Sequence, residues 1–109
     1  MELNRKLTTQ EEMLLEHMID ISNIEIPINW RDELLVRPMD DGGMGSLYIL
    51  PKGISENNRI FGAQVSEIQF EDEDRILVIV SLNIDSNGHL FELDIWKTDF
   101  SKLIRFPKL

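Results

Sequence analysis

Ile76-Leu77-Val78-Ile79-Val80-Ser81-Leu82-Asn83-Ile84, followed after Asp85-Ser86-Asn87-Gly88 by Phe91-Glu92-Leu93-Asp94-Ile95-Trp96, is the stretch that separates a sheet from a helical fold. Apolar residues recur at every second position in both segments, the period of a strand. In the first segment Ile76, Val78, Val80, Leu82 and Ile84 form one inward row, and Leu77 and Ile79 make the other side apolar too. That pattern predicts a central strand covered on both faces. In the second, Phe91, Leu93 and Ile95 read inward, leaving Glu92, Asp94 and Trp96 on the opposite face. The link from Asp85 to Gly88 is short, so the two strands pair antiparallel.

The same period extends toward the N-terminus. Phe61, Ala63 and Val65 alternate with Gly62, Gln64 and Ser66, after which the apolar phase moves to Ile68 and Phe70. A bulge near Ser66 or Glu67 accounts for the shift. Glu71 to Arg75 is again a short antiparallel link. Leu47 and Ile49 mark a further strand, and Leu34, Leu35 and Val36 the entry to another. Between these two, Asp40-Asp41-Gly42-Gly43 has turn chemistry, because glycine tolerates positive φ.

Ahead of the strands, Thr8-Thr9-Gln10-Glu11 has capping-box spacing. Leu14, Met18 and Ile21, flanked by Leu15 and Ile19, give a helical stripe over roughly residues 9–22. Pro27 stops any continuation, and Asn29 can cap a short turn through Trp30 to Glu33. After Lys97, Thr98 or Asp99 can cap a short helical turn, with Phe100, Leu103 and Phe106 returning to the core. The sum is an α+β fold in one domain, residues 1–109: an N-terminal helix on an antiparallel meander of about five strands, closed by a short C-terminal helical turn.

Twenty acids against eleven bases give a formal net charge of −9. Such a field repels nucleic acids and anionic membranes and attracts basic proteins. There are no cysteines, which excludes disulfides and thiolate metal sites and suits a reducing cytoplasm. The opening residues Met1 to Lys6 lead into polar sequence without a signal-peptide apolar run, and no apolar run approaches membrane-spanning length. A cytoplasmic protein without membrane or nucleic-acid partners is expected.

Catalytic chemistry finds little support. His17 and His89 have no serine motif beside them. Gly42-Gly43-Met44-Gly45-Ser46 is preceded by two aspartates and followed by a strand, the wrong setting for a phosphate loop. Asn83-Ile84-Asp85-Ser86-Asn87-Gly88, with Leu90 and Asp94 further on, nearly meets calcium-loop spacing. Its flanks read as strands, however, and a β-turn at Asp85 to Gly88 explains the same residues. The run Glu71-Asp72-Glu73-Asp74 reads as a solvated, aggregation-guarding loop. No catalytic residue, metal ligand or cofactor is assigned, and an enzyme is not expected.

A surface remains. Glu92, Asp94 and Trp96, joined by Tyr48, combine an aromatic anchor with steering charges, the pattern of an interface. A covering helix or a dimer mate would produce the same alternation. Asp40, Asp41 and Glu71 to Asp74 add acidic turns.

Met39-Asp40-Asp41-Gly42-Gly43-Met44-Gly45-Ser46-Leu47 and Phe91-Glu92-Leu93-Asp94-Ile95-Trp96-Lys97-Thr98-Asp99-Phe100 resemble motifs of a family of small bacterial proteins that open with an Arg-x-Leu-Thr helix start, here Arg5-Lys6-Leu7-Thr8. That family brings no established reaction. In size, acidity and lack of catalytic groups the chain is also similar to immunity proteins of contact-dependent inhibition and polymorphic toxin systems. This second resemblance implies a cytoplasmic antidote to a cognate toxin, nucleases among them, whose basic surface an acidic inhibitor would match. Asp40, Asp41, Glu71, Asp72, Glu73, Asp74, Glu92, Asp94 and Trp96 are the expected contacts. A small divalent-metal or calcium-binding domain is the alternative.

Overall fold

A computed structural model describes residues 3–109; Met1 and Glu2, read above as part of a polar opening, lie outside it. Helix α1 spans Thr9–Asp20. Its capping box is complete: Thr8 Oγ1 accepts from the Glu11 amide, and Glu11 accepts from the Thr8 amide. The helix stops two residues short of the predicted limit, where the Ile21 amide closes the last turn on the His17 carbonyl at 3.1 Å. The predicted turn follows, with the Trp30 amide bonded to the Pro27 carbonyl at 3.0 Å.

Five strands follow: β1 Leu35–Pro38, β2 Leu47–Leu50, β3 Phe61–Glu71, β4 Leu77–Asp85 and β5 Leu90–Lys97. All pairings are antiparallel, and the spatial order is β1-β2-β5-β4-β3. β3, β4 and β5 form a sequential meander; the β1–β2 hairpin joins it along the free edge of β5. Arg5 adds a bridge to Val36, so part of the outer edge of β1 is covered.

Alternation decides the faces. Val36, Leu47, Ile49, Val78, Val80, Leu82, Leu93 and Ile95 point inward, where Leu14, Leu15 and Met18 of α1 complete the core. Burying each such side chain contributes about 1.5–3 kcal/mol. Ser66 Oγ donates to the Met18 carbonyl at 2.8 Å, tying helix to sheet. Leu77 and Ile79 do not meet a second layer: the only helix among the described residues lies on the other face, and Leu77 is exposed. β4 is therefore central but covered on one side only.

The phase change in β3 is a register shift between Gln64 and Ser66, close to the predicted bulge, with another between Phe61 and Ala63. A shift between Asn83 and Ile84 has a larger effect on β5, since it pairs Ile84 with Leu90. Leu90 takes the inward place expected of Phe91, which is half-buried beneath the Arg59 guanidinium, 4.9 Å from its ring centroid. The short C-terminal helical turn does not form. Phe100 adopts φ 64° in a turn closed on the Lys97 carbonyl, and the remaining chain has no regular structure. Leu103 and Phe106 reach the core as expected, whereas Phe100 lies exposed beside Trp96.

Candidate functional site

The uncovered sheet face is built by cross-strand pairing. Tyr48 of β2 and Asn83 of β4 both lie opposite Glu92 of β5; Ser81 faces Asp94, and Ile79 faces Trp96. Glu67 and Glu71 extend the face along β3, opposite Ser81 and Leu77. Trp96 is 44% exposed and Tyr48 38%. The Trp96 and Phe100 rings meet with centroids 6.2 Å apart.

Charge is unevenly spread over the molecule. Several carboxylates elsewhere are paired, Arg5 with Glu11, Arg31 with Glu12 and Glu16, Lys52 with Glu33 and Arg59 with Asp85, while Arg37, which lies over Tyr48, pairs with Glu56. Asp20, Glu25, Asp32, Asp40 and Asp99 make no ion pair among the described residues. On the open face Glu67, Glu71, Glu92 and Asp94 make no ion pair among the described residues. Asn83 Nδ2 donates to Asp94 Oδ2 at 2.8 Å and to Glu92 Oε1 at 3.4 Å. Burial, reinforced by the Glu92 charge, raises the Asp94 carboxyl above its ordinary pKa despite that hydrogen bond.

The other sequence-predicted residues divide sharply. Glu71 belongs to the face. Asp40 is exposed on the β1–β2 loop. Asp41 is an organiser: its carboxylate accepts the amides of Gly43, Met44 and Ser46, shaping a loop in which Gly42, Gly43 and Gly45 all take positive φ. Ser46 Oγ then accepts the Ile95 amide at 2.8 Å and donates to its carbonyl at 3.1 Å, docking the loop on β5.

Glu71 to Asp74 is not the solvated run that spacing implied. Asp72 and Asp74 converge on Lys97 Nζ at 2.9 and 2.6 Å, with Lys97 and Asp72 side chains wholly buried. Asp72 also accepts the amides of Glu73, Ile104 and Arg105. Burial opposes this charge, but the Ile104 amide, the Lys97 ammonium and the other amides outweigh it, lowering the carboxyl to a pKa of about 2. Asp72 is unavailable to a partner. Glu73 pairs with Arg105 at 2.6 Å.

Asp85 to Gly88 forms the β-turn, with strands on both sides. The Asp85 carboxylate is held by Arg59 Nε at 2.8 Å and by the Asn87 and His89 amides. Arg59 also donates to the Ile49 and Leu90 carbonyls, locking the preceding loop against β2 and β5. Among the described residues no group of three or more His, Cys, Asp or Glu is placed to hold a metal, and no helix is long and apolar enough to cross a membrane.

Sequence reading missed two features. Asn83 organises the Glu92–Asp94 pair, a role that its place in the calcium-like spacing with Asp94 did not reveal. A separate concavity of about 280 Å³ lies between the turn after α1 and the β4–β5 turn, lined by Ile26, Trp30, Pro51, Ile54, His89 and Leu90. Its walls come from three distant segments, so no local pattern announces it. The model of a family described as a domain of unknown function (DUF6984) matches residues 4–107. No curated protein and no solved structure matches the chain.

Proposed function

The chain belongs to the DUF6984 family, and we propose that it is a binding protein of immunity type, neutralising a cognate bacterial toxin through the open sheet face. The observation that carries this reading is the collection of unpaired Glu67, Glu71, Glu92 and Asp94 on the sheet face that also presents half-exposed Trp96 and Tyr48. A toxin domain with a basic surface, such as a nuclease, is the electrostatic complement of that face. Its approach would be steered by the carboxylates, and its retention would depend on desolvating Trp96, Tyr48 and Phe100.

Function by occlusion needs no catalytic group, cofactor or metal, and places the protein in the cytoplasm, where an incoming toxin would act. Asp72, Asp41 and Asp85 serve in this reading as scaffold, since their carboxylates are committed to internal donors. Co-expression with the product of the neighbouring gene tests it. Cells should survive with the wild-type chain and lose protection with Trp96→Ala, and the two proteins should co-purify. The absence of both rescue and complex formation would remove the proposal.

A further inference from the structure

Among the described residues, three aromatic rings carry an arginine whose guanidinium is also held by carboxylate. Arg31 lies 4.3 Å from the Trp30 centroid and pairs with Glu12 and Glu16. Arg37 lies 5.2 Å from the Tyr48 centroid and pairs with Glu56. Arg59 lies 4.9 Å from the Phe91 centroid and pairs with Asp85. Trp96 is a half-exposed ring on the strand that presents Asp94 and Glu92 on the same face, and no arginine lies over it among the described residues. We infer that the Glu92–Asp94–Trp96 constellation is a receptor for an arginine side chain of the partner protein, an inference that rests on the binding-face reading above.

The acceptors are organised in advance. Asn83 is 6% exposed, reaches into the pair, and spends its Nδ2 on Asp94 Oδ2 and Glu92 Oε1. Asp94 Oδ1 and Glu92 Oε2 accept nothing among the described residues and are left for an incoming fork. The buried Asn83 Oδ1 has no hydrogen-bond partner among the described residues, a cost of holding its Nδ2 between the two acids. Two neighbouring carboxylates without a counter-ion repel each other, and a guest cation removes that repulsion. A planar guanidinium can pair bidentately with a carboxylate and stack on an indole face; an ammonium supplies charge without the stack or the fork.

Titration of the isotopically labelled full chain with acetyl-Gly-Arg-Gly-Arg-amide, and with its lysine counterpart, tests the inference by NMR. The arginine peptide should move the Trp96 indole and Asn83 side-chain signals and bind at least about fivefold tighter than the lysine peptide. Glu92→Gln with Asp94→Asn should weaken the arginine peptide by about tenfold or more. Asp20→Asn with Glu25→Gln removes the same charge from exposed positions off the face and should change binding by less than about twofold. Equal affinity for the two peptides, equal loss in both double variants, or shifts confined to other surfaces would each overturn the arginine receptor. Toxin protection by the wild-type chain with failed peptide arms sinks this inference alone; selective peptide binding without protection sinks the toxin reading and leaves the receptor standing.

Discussion

Lys97 and Asp72 show how one residue can take on a role opposite to its type. The β5 alternation sends position 97 inward, opposite Val78, where an ammonium is tolerated only because Asp72 and Asp74 meet it. Asp72 in turn holds the Ile104 and Arg105 amides, so the same carboxylate fixes the C-terminal segment that carries Leu103 and Phe106 to the core. Removing one partner of a buried pair typically costs about 3–5 kcal/mol. Asp74 remains to hold Lys97, so Asp72→Asn should lower the thermal midpoint by roughly 5–15 °C, readable by circular dichroism. Acid adds a second signature. A carboxyl depressed to about 2 in the fold gives stability that is present above its unfolded value and lost as pH falls toward 2. The wild-type melting temperature should therefore drop between about pH 4 and 2, and Asp72→Asn should flatten that limb.

At the level of elements, bulges decide what each strand presents. The irregularity between Asn83 and Ile84 turns Phe91 out of the inward row and brings Leu90 in, while Glu92, Asp94 and Trp96 keep the outward phase. Gly62 sits at another irregularity, where a Cβ would stand 2.2 Å from the Asp85 carbonyl oxygen. That neighbour is backbone, so the strands themselves must move. Gly62→Ala should destabilise by about 1–3 kcal/mol in urea unfolding, without altering a residue of the binding face. Asp94→Asn should behave oppositely. Its carboxyl is raised in the fold, so ionisation at neutral pH works against the native state, and stability from this group grows as pH falls through its folded value. Asp94→Asn keeps an acceptor for Asn83 and removes the repulsion with Glu92. Its melting temperature at pH 7 should equal or exceed the wild-type value, while partner binding weakens.

Across the whole molecule, the net charge of −9 acquires a direction. Arginine and lysine neutralise acids on the helix, on the loop ahead of β3 and at the C-terminal segment, while Glu67, Glu71, Glu92 and Asp94 stay unpaired on the open sheet. A basic partner should feel that field before contact. Raising salt from about 50 to 500 mM should slow association by about tenfold or more while changing dissociation little, measurable by surface plasmon resonance with the purified toxin domain. An unchanged association rate would mean that the open face does not steer the encounter.

The sequence by itself determined the α+β class, the capped helix, the antiparallel β3–β4–β5 order and the outward row of Glu92, Asp94 and Trp96. Periodicity, capping boxes and short links are local properties, written within a few residues of one another. Only the tertiary structure decided that Asp72 and Asp74 converge on Lys97, that the β1–β2 hairpin joins β5, and that Phe91 and Phe100 leave the core. Those outcomes depend on which distant groups meet when side chains desolvate and bulges shift register, and a charged residue carries no local mark of the partner it will find.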